Sequence, residues 1–342
     1  MFFAAMALTV SDTLFASGRT VSGRVMERNI PDGPRLVMEP RRGSGMVCLS
    51  VVVSAGSALE EPSMRGISHF MEHMAFDGSE RYSRQQINGW ADETGSFLNA
   101  FTREEYTVYF TLIPTSELED GFDILSQMLL HSVIPQKEIE KEKKVITEEM
   151  HKDEDNLNAL RDEIVKRHLY VGSPLAESII GTQATVLSFS REDLLDYYRR
   201  AYDPRTMMVY LLGDFDESDA EALTAAYFTV PSSQTGLESE EEDEEESHGG
   251  NAPFEGGAAG AAPPFYRNRI VNVEKEGIDE GLDVLVSLPV AGSKDLAAAI
   301  VLPELLNRPD GPLDAVKKDL TMEEASADVE FHRNFSALRF HF

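Results

Sequence analysis

Gly66-Ile-Ser-His69-Phe70-Met71-Glu72-His73-Met74-Ala75-Phe76 is the stretch on which the reading of the chain turns. It contains H-x-x-E-H, the reverse of the H-E-x-x-H zinc signature. In a helix, positions i and i+4 project from one face, so the rings of His69 and His73 can reach one ion. Glu72 sits beside them. Hydrolytic zinc chemistry needs such ligands, and a nearby base to take a proton from the attacking water. With 8 His and 60 acidic residues in 342, random placement gives about 0.03 copies of the pattern. The bland alternative is a solvated helix face carrying two polar His. The flanks Ile67, Phe70, Met71, Met74 and Phe76 oppose it, because they make the helix largely buried. Buried His and Glu need partners, and a metal would satisfy all three residues.

Two His leave a catalytic zinc site one protein ligand short. The segment from Gln136 to Asp153 (QKEIEKEKKVITEEMHKD) reads as a charged amphipathic helix whose apolar positions are Ile139, Val145, Ile146 and Met150. Glu142 and Glu149 lie nearly two turns apart and so share a face with Ile139, Ile146 and Met150. Glu148 is rotated by about 100° toward solvent. Two readings stay open. In one, Glu149 is the third ligand and Glu142 a supporting carboxylate, which would offset the cost of charge on an apolar face. In the other, both carboxylates pair within their own helix, where Lys141, Lys143 and Lys144 flank Glu142. Helix geometry alone balances them.

Around these segments the pattern is that of an α+β domain, a layered antiparallel sheet with helices packed on it. Residues 35–55 read as two strands around a Gly-rich turn. Residues 66–76 and 83–94 read as helices, the second with Ser83 as N-cap and Gly95 at its end. Residues 96–112 (SFLNAFTREEYTVYFTL) are rich in Phe, Tyr, Thr and Val, and predict two strands with a turn near Arg103–Glu105. Ser116–His131 is an amphipathic helix with a stripe of Phe122, Leu125, Met128 and Leu129. Helix is expected to continue over 153–169 and to recur over 190–201, with a short strand at Met207–Leu212.

Four regions follow from composition. Residues 1–28 are an N-terminal segment whose apolar run, residues 1–10, lacks a preceding Lys or Arg and is too short to span a membrane; a signal-peptide remnant is one reading of it. Residues 29–230 are the domain with the metal motif. Residues 231–265, acidic and then rich in Gly, Ala and Pro, read as a disordered linker. Residues 266–342 read as the start of a second, incomplete domain: strands near Arg269 and over 282–291, a helix over Leu296–Leu306 broken by Pro303, and a final strand in FHRNFSALRFHF.

The motifs, in order, resemble those of the pitrilysin/insulinase-type (inverzincin) zinc metallopeptidases, and most of all their mitochondrial-processing-peptidase-like members. Carrying the resemblance are H-x-x-E-H at 69–73, Glu142-Lys-Lys-Val-Ile-Thr-Glu-Glu149, and Gly66 through Ser79. Phe97 through Tyr109, Ile180-Gly-Thr182, Phe189 through Leu194 and Tyr198 through Phe215 add to it. It covers residues 30–220 closely and 265–342 weakly. The resemblance implies one Zn2+ held by His69, His73 and Glu149, Glu72 as general base, and Glu142 in support. It implies that Asn99 and Ala100 lie on an edge strand that pairs with the substrate backbone, a form of β-augmentation. From the residues alone that segment is an ordinary hairpin. The implied activity is a metalloendopeptidase acting on extended peptides or unfolded proteins. The implied second domain is related in fold to the first, and a homo- or hetero-oligomeric partner would supply a second half-molecule. An Arg and a Tyr that contact substrate in the family's second half have no counterpart identified before Phe342. The alternative is therefore a non-catalytic or partner-dependent subunit of the same fold. A closed structural zinc site is a weaker rival, since a fourth protein ligand is not apparent.

The formal net charge is −29. The run from Glu238 to Glu246 holds only part of the acidity, so the chain is acidic throughout. That argues against nucleic acid or an anionic membrane as partner. A lone Cys48 excludes an intrachain disulfide, and its apolar strand makes it a core residue rather than a nucleophile. The compartment stays open between export and the cytoplasm.

Overall fold

The structure is a computed structural model that describes residues 25–170, 172–229, 283–288, 307, 313, 326–332 and 335–341. The N-terminal segment through residue 24, the acidic linker and the helix expected at 296–306 lie outside the described residues.

Six strands form one sheet: β1 (Met26–Asn29), β2 (Arg35–Pro40), β3 (Met46–Val53), β4 (Phe97–Thr102), β5 (Thr107–Pro114) and β6 (Met208–Gly213), in the order β1-β2-β6-β3-β5-β4. Alternation sets the two faces of the sheet. Val47, Leu49, Val51 and Val53 of β3 are fully buried on one face, together with Leu36 and Met38, Tyr109 and Ile113, and Val209 and Leu211. β2 and β6 run parallel, while the other pairs are antiparallel. The sheet is therefore mixed, where composition predicts antiparallel pairing. The reason is topological. β2 and β3 run in opposite directions across residues 41–45, and β6 inserts between them, so it must parallel one of the two. At its end Gly213 has φ +141, and a Cβ there would overlap Met46 O.

Eight helices are described in this part of the chain: α1 (Ile67–Ala75), α2 (Arg84–Thr94), α3 (Leu118–Leu130), α4 (Gln136–Asp155), α5 (Leu157–Leu169), α6 (Gln183–Ser188), α7 (Arg191–Ala201) and α8 (Glu217–Tyr227). α1 packs on β4 and β5, α3 on β3 and β5, α8 on β2, and α4 on α1. Phe70, Met71 and Met74 of α1 and Phe122, Leu125, Met128 and Leu129 of α3 join the core. α2 starts at Ser83, whose side chain accepts from Gln86 N while the Gln86 side chain accepts from Ser83 N, and stops at Gly95 in the left-handed region.

Three further sequence expectations need correction, and one helix was not expected. The helix expected to run unbroken past Asp153 ends at Asp155. Asn156 turns extended, and its side chain accepts from Ala159 N, capping α5. The sheet begins at Met26, so β1 crosses the 28/29 boundary drawn from composition. α8 was not foreseen, although Asp216 caps it by accepting from Ser218 N. The single strand expected at the C-terminal end is two, β8 (Ser326–His332) and β9 (Phe335–His341), paired antiparallel. With β7 (Asp283–Leu288) they form a three-stranded sheet, β7-β9-β8. Among the described residues no helix is long and apolar enough to cross a membrane.

Candidate metal centre and active site

α1 carries three of the site residues because its two faces differ in character. Ile67, Phe70, Met71 and Met74 are buried in the core, while His69, Glu72 and His73 are half-buried on the side facing α4 and β4. On α4, Ile139, Glu142, Ile146 and Met150 are buried, Glu149 is half-buried, and Glu148 and Val145 are exposed. The structure brings His69, His73 and Glu149 together: one ligand atom from each lies within 4.8 Å of the others. His69 Nε2 is 3.8 Å from Glu149 Oε1, and His73 Nε2 is 3.5 Å from Glu149 Oε2.

These separations suit a cation. Tetrahedral ligands at zinc distances stand about 3.3 Å apart, and His and carboxylate are its usual donors. The His69–Glu149 gap is too long for a hydrogen bond. His73 Nδ1 lies 3.0 Å from Glu142 Oε2, a contact that orients the ring with Nε2 toward Glu149. His69 Nδ1 is buried and has no hydrogen-bond partner among the described residues, so only one of the two imidazoles is oriented from behind. Glu142 is held on its other oxygen by Arg84, at 2.9 Å, and Arg84 also contacts Asp77.

The electrostatics of these groups follow from burial and from these contacts. Burial, with His73 close by, pushes His69 down to about 4. Burial also acts against a charged His73, but the hydrogen bonds to Glu142 and Glu149 prevail and raise it to about 9. Glu149 is held low by His73. Glu142 is lowered too, since His73 and Arg84 outweigh its burial. Burial raises Glu72, a direction that suits a group taking up and releasing a proton. Thr102 tempers it: Glu72 Oε2 accepts from Thr102 Oγ1 at 2.6 Å. Burial lifts Asp77 to about 6.

Asn99 and Ala100 lie on β4, the edge of the sheet next to α1. Asn99 is exposed, and its Oδ1 accepts from Ala100 N at 2.9 Å. The sequence reading missed Thr102, Arg84 and Asp77. Thr102 stands three positions after Asn99, inside the strand already singled out. Arg84 follows the Ser83 cap, so both had a local signal. Nothing local to Asp77 foretells its partner. Cys48 is half-buried on β3 with its thiol pushed up by burial.

Comparison with known proteins agrees with this architecture. A family profile described as "Insulinase (Peptidase family M16)" matches residues 36–183, and one described as "Peptidase M16 inactive domain" matches 188–313. Their junction falls inside the six-stranded unit, because β6 and α8 come after it. The Bacillus subtilis protein named "Uncharacterized zinc protease YmxG" is 32% identical over 213 residues, 61% of this chain and 52% of that one. The Saccharomyces cerevisiae mitochondrial-processing peptidase subunit beta is 32% identical over 211 residues, 60% of this chain and 45% of that one. The chain thus spans about half the length of the curated relatives it matches. A protease structure from Helicobacter pylori superposes with a TM-score of 0.73 at 18% identity, covering 93% of this chain and 74% of that one. The crystal structure of pitrilysin gives 0.68 at 15% identity, covering 94% of this chain and 34% of that one. Both structures share the fold. Two profiles of one family, in order along most of the chain and over this fold, lead to one conclusion: the chain belongs to the pitrilysin/insulinase-type peptidases, family M16.

Proposed function

We propose that the protein is a zinc-dependent metalloendopeptidase that cleaves extended peptides or unfolded chains. The observation that carries this reading is the convergence of His69, His73 and Glu149 from two helices, with Glu72 on the same helix face. His69, His73 and Glu149 would hold one Zn2+, and Glu142 would orient His73. Bound there, zinc would supply Lewis acidity, polarising a carbonyl and lowering the pKa of water. Glu72 accepts the proton of the attacking water and passes it to the leaving amine. Thr102 holds the Glu72 carboxylate in place through its 2.6 Å hydrogen bond. The open edge of β4 offers main-chain pairing to a substrate strand at Asn99 and Ala100. Pairing at the Ala100 N–H displaces the Asn99 amide oxygen that occupies it. Only a segment with unpaired backbone groups can pair this way, which suits unstructured substrates.

A second reading is that the chain is a subunit that needs a partner to cleave. It is favoured by a relative named as a subunit. One experiment separates the two: zinc content and cleavage of an unstructured peptide, with and without chelator, for the wild type and Glu72→Gln. The endopeptidase reading expects zinc in both proteins and chelator-sensitive cleavage in the wild type alone. Zinc without cleavage supports the subunit reading. Absence of zinc, or full turnover by Glu72→Gln, overturns the site assignment.

A further inference from the structure

Arg84 is the first residue of α2, placed there by the Ser83 cap. Its Nη1 meets two carboxylates, Glu142 Oε1 at 2.9 Å and Asp77 Oδ1. Both carboxylates are buried. The other oxygen of Glu142 takes His73 Nδ1 at 3.0 Å. Asp77, Arg84, Glu142 and His73 therefore form one row of opposite charges and hydrogen bonds. It runs from the loop after α1, through α2 and α4, and back to α1.

We infer that Arg84 is a positioning residue for the metal centre, acting through Glu142 on His73. The inference rests on the reading of His69, His73 and Glu149 as zinc ligands. A carboxylate turns freely about its last bond unless a donor holds each oxygen. With Arg84 on Oε1, the carboxylate plane is fixed and Oε2 points at Nδ1. The His73 ring is then set with Nε2 toward Glu149, 3.5 Å away. Lys141 is no substitute: its Nζ is 3.9 Å from Glu142 Oε1, beyond hydrogen-bonding range, and its side chain is half in solvent. Removing the guanidinium also leaves Asp77 and Glu142, two buried like charges, with only the half-exposed Lys141 near them. Groups behind a ligating His typically change metal affinity about 10- to 100-fold. Arg84 stands one bond further out, so the lower end applies.

The test uses the full chain and measures zinc affinity by competition with a chromophoric chelator, for the wild type, Arg84→Met, Arg84→Lys, Glu142→Gln and the double variants. Arg84→Met is expected to weaken zinc about 10-fold, and Arg84→Lys less, since a single ammonium serves one carboxylate poorly where the guanidinium bridges two. In the Glu142→Gln background either Arg84 change is expected to add less than about twofold, because the route to His73 is already cut. Circular dichroism in chelator checks folding. If Arg84→Met does not fold, the cycle with Arg84→Lys decides by the same criteria. A folded Arg84 variant with zinc affinity within about twofold of the wild type overturns the inference, as does an equal loss in both backgrounds. If the wild-type chain takes up no zinc, it is the ligand assignment itself that fails.

Discussion

Replacing Glu60 with alanine tests how the helix that bears the site is anchored. Gly66, the N-cap of α1, has φ +93, and a Cβ there would run into Ile180 O, so this position takes glycine and has no side chain with which to cap the helix. Glu60 does so from a distance. Its Oε2 accepts from Gly66 N and its Oε1 from Ser68 N, each at 2.8 Å, and Glu60, Gly66 and Ser68 are buried. Truncation leaves two buried N–H groups unpaired, at about 1–3 kcal/mol each. It also removes a negative charge from a helix N-terminus, worth about 0.3–1 kcal/mol. Against this stands relief from burying the carboxylate, since burial holds Glu60 above its usual 4.5 despite both hydrogen bonds. The net loss expected is about 2–4 kcal/mol, read from urea unfolding in chelator so that metal plays no part.

The pH dependence has a definite sign. With its folded pKa raised, Glu60 binds a proton more tightly in the native state than in the unfolded one. The Glu60 contribution to stability therefore falls as pH rises from about 4.5 through the folded value. Glu60→Gln cannot titrate and lacks this slope, so its deficit is largest in acid and shrinks as pH rises. A loss below about 1 kcal/mol for Glu60→Ala would refute the capping argument, whereas a Glu60→Gln deficit that grows with pH would show that the two N–H bonds outweigh burial.

Zinc at about 100 times its Kd should raise the unfolding free energy by about 2.7 kcal/mol. Glu149→Gln should lose most of that gain and Glu148→Gln little of it; the reverse order would move the ligand to the neighbouring residue. Tyr109→Phe breaks a buried hydroxyl pair with Tyr202 at 2.6 Å and should cost about 1–2 kcal/mol in thermal unfolding, so an unchanged midpoint would mean the pair contributes nothing. Gly213→Ala should cost about 2 kcal/mol or more, because φ +141 and the close approach to Met46 leave no room for a Cβ. A urea midpoint equal to the wild type would show that β6 has room to shift.

What could be read in advance was whatever a segment states about itself. The apolar flanks of 69–73 marked a buried helix, and Ser83 and Gly95 marked both ends of α2. The helical period separated Glu149 from Glu148, and the first is indeed turned inward while the second is exposed. What could not be read was what one segment states about another. The contacts of Thr102 with Glu72, of Arg84 with Glu142 and of Glu60 with the start of α1 join separate segments, and no periodicity encodes them. The parallel placement of β6 has the same origin: its alternation marks a strand but names no neighbour. α8 and the β8–β9 pair were missed for a simpler reason. Their local signals, the Asp216 cap among them, are short.

The position of β6 bears on how the domain comes to be made. A strand near the middle of the sheet is the last of the six to leave the ribosome, after all the helices from Leu118 to Ala201. Until then β2 on one side and β3 on the other present open edges to each other and to any other nascent chain. Pairings this distant in sequence form slowly, and the waiting state is prone to aggregate. A recombinant piece cut at the end of the first family match, residue 183, would keep His69, Glu72, His73 and Glu149 but lack the strand that joins the two halves of their supporting sheet. Expression of this domain should therefore become soluble only once Gly213 is included.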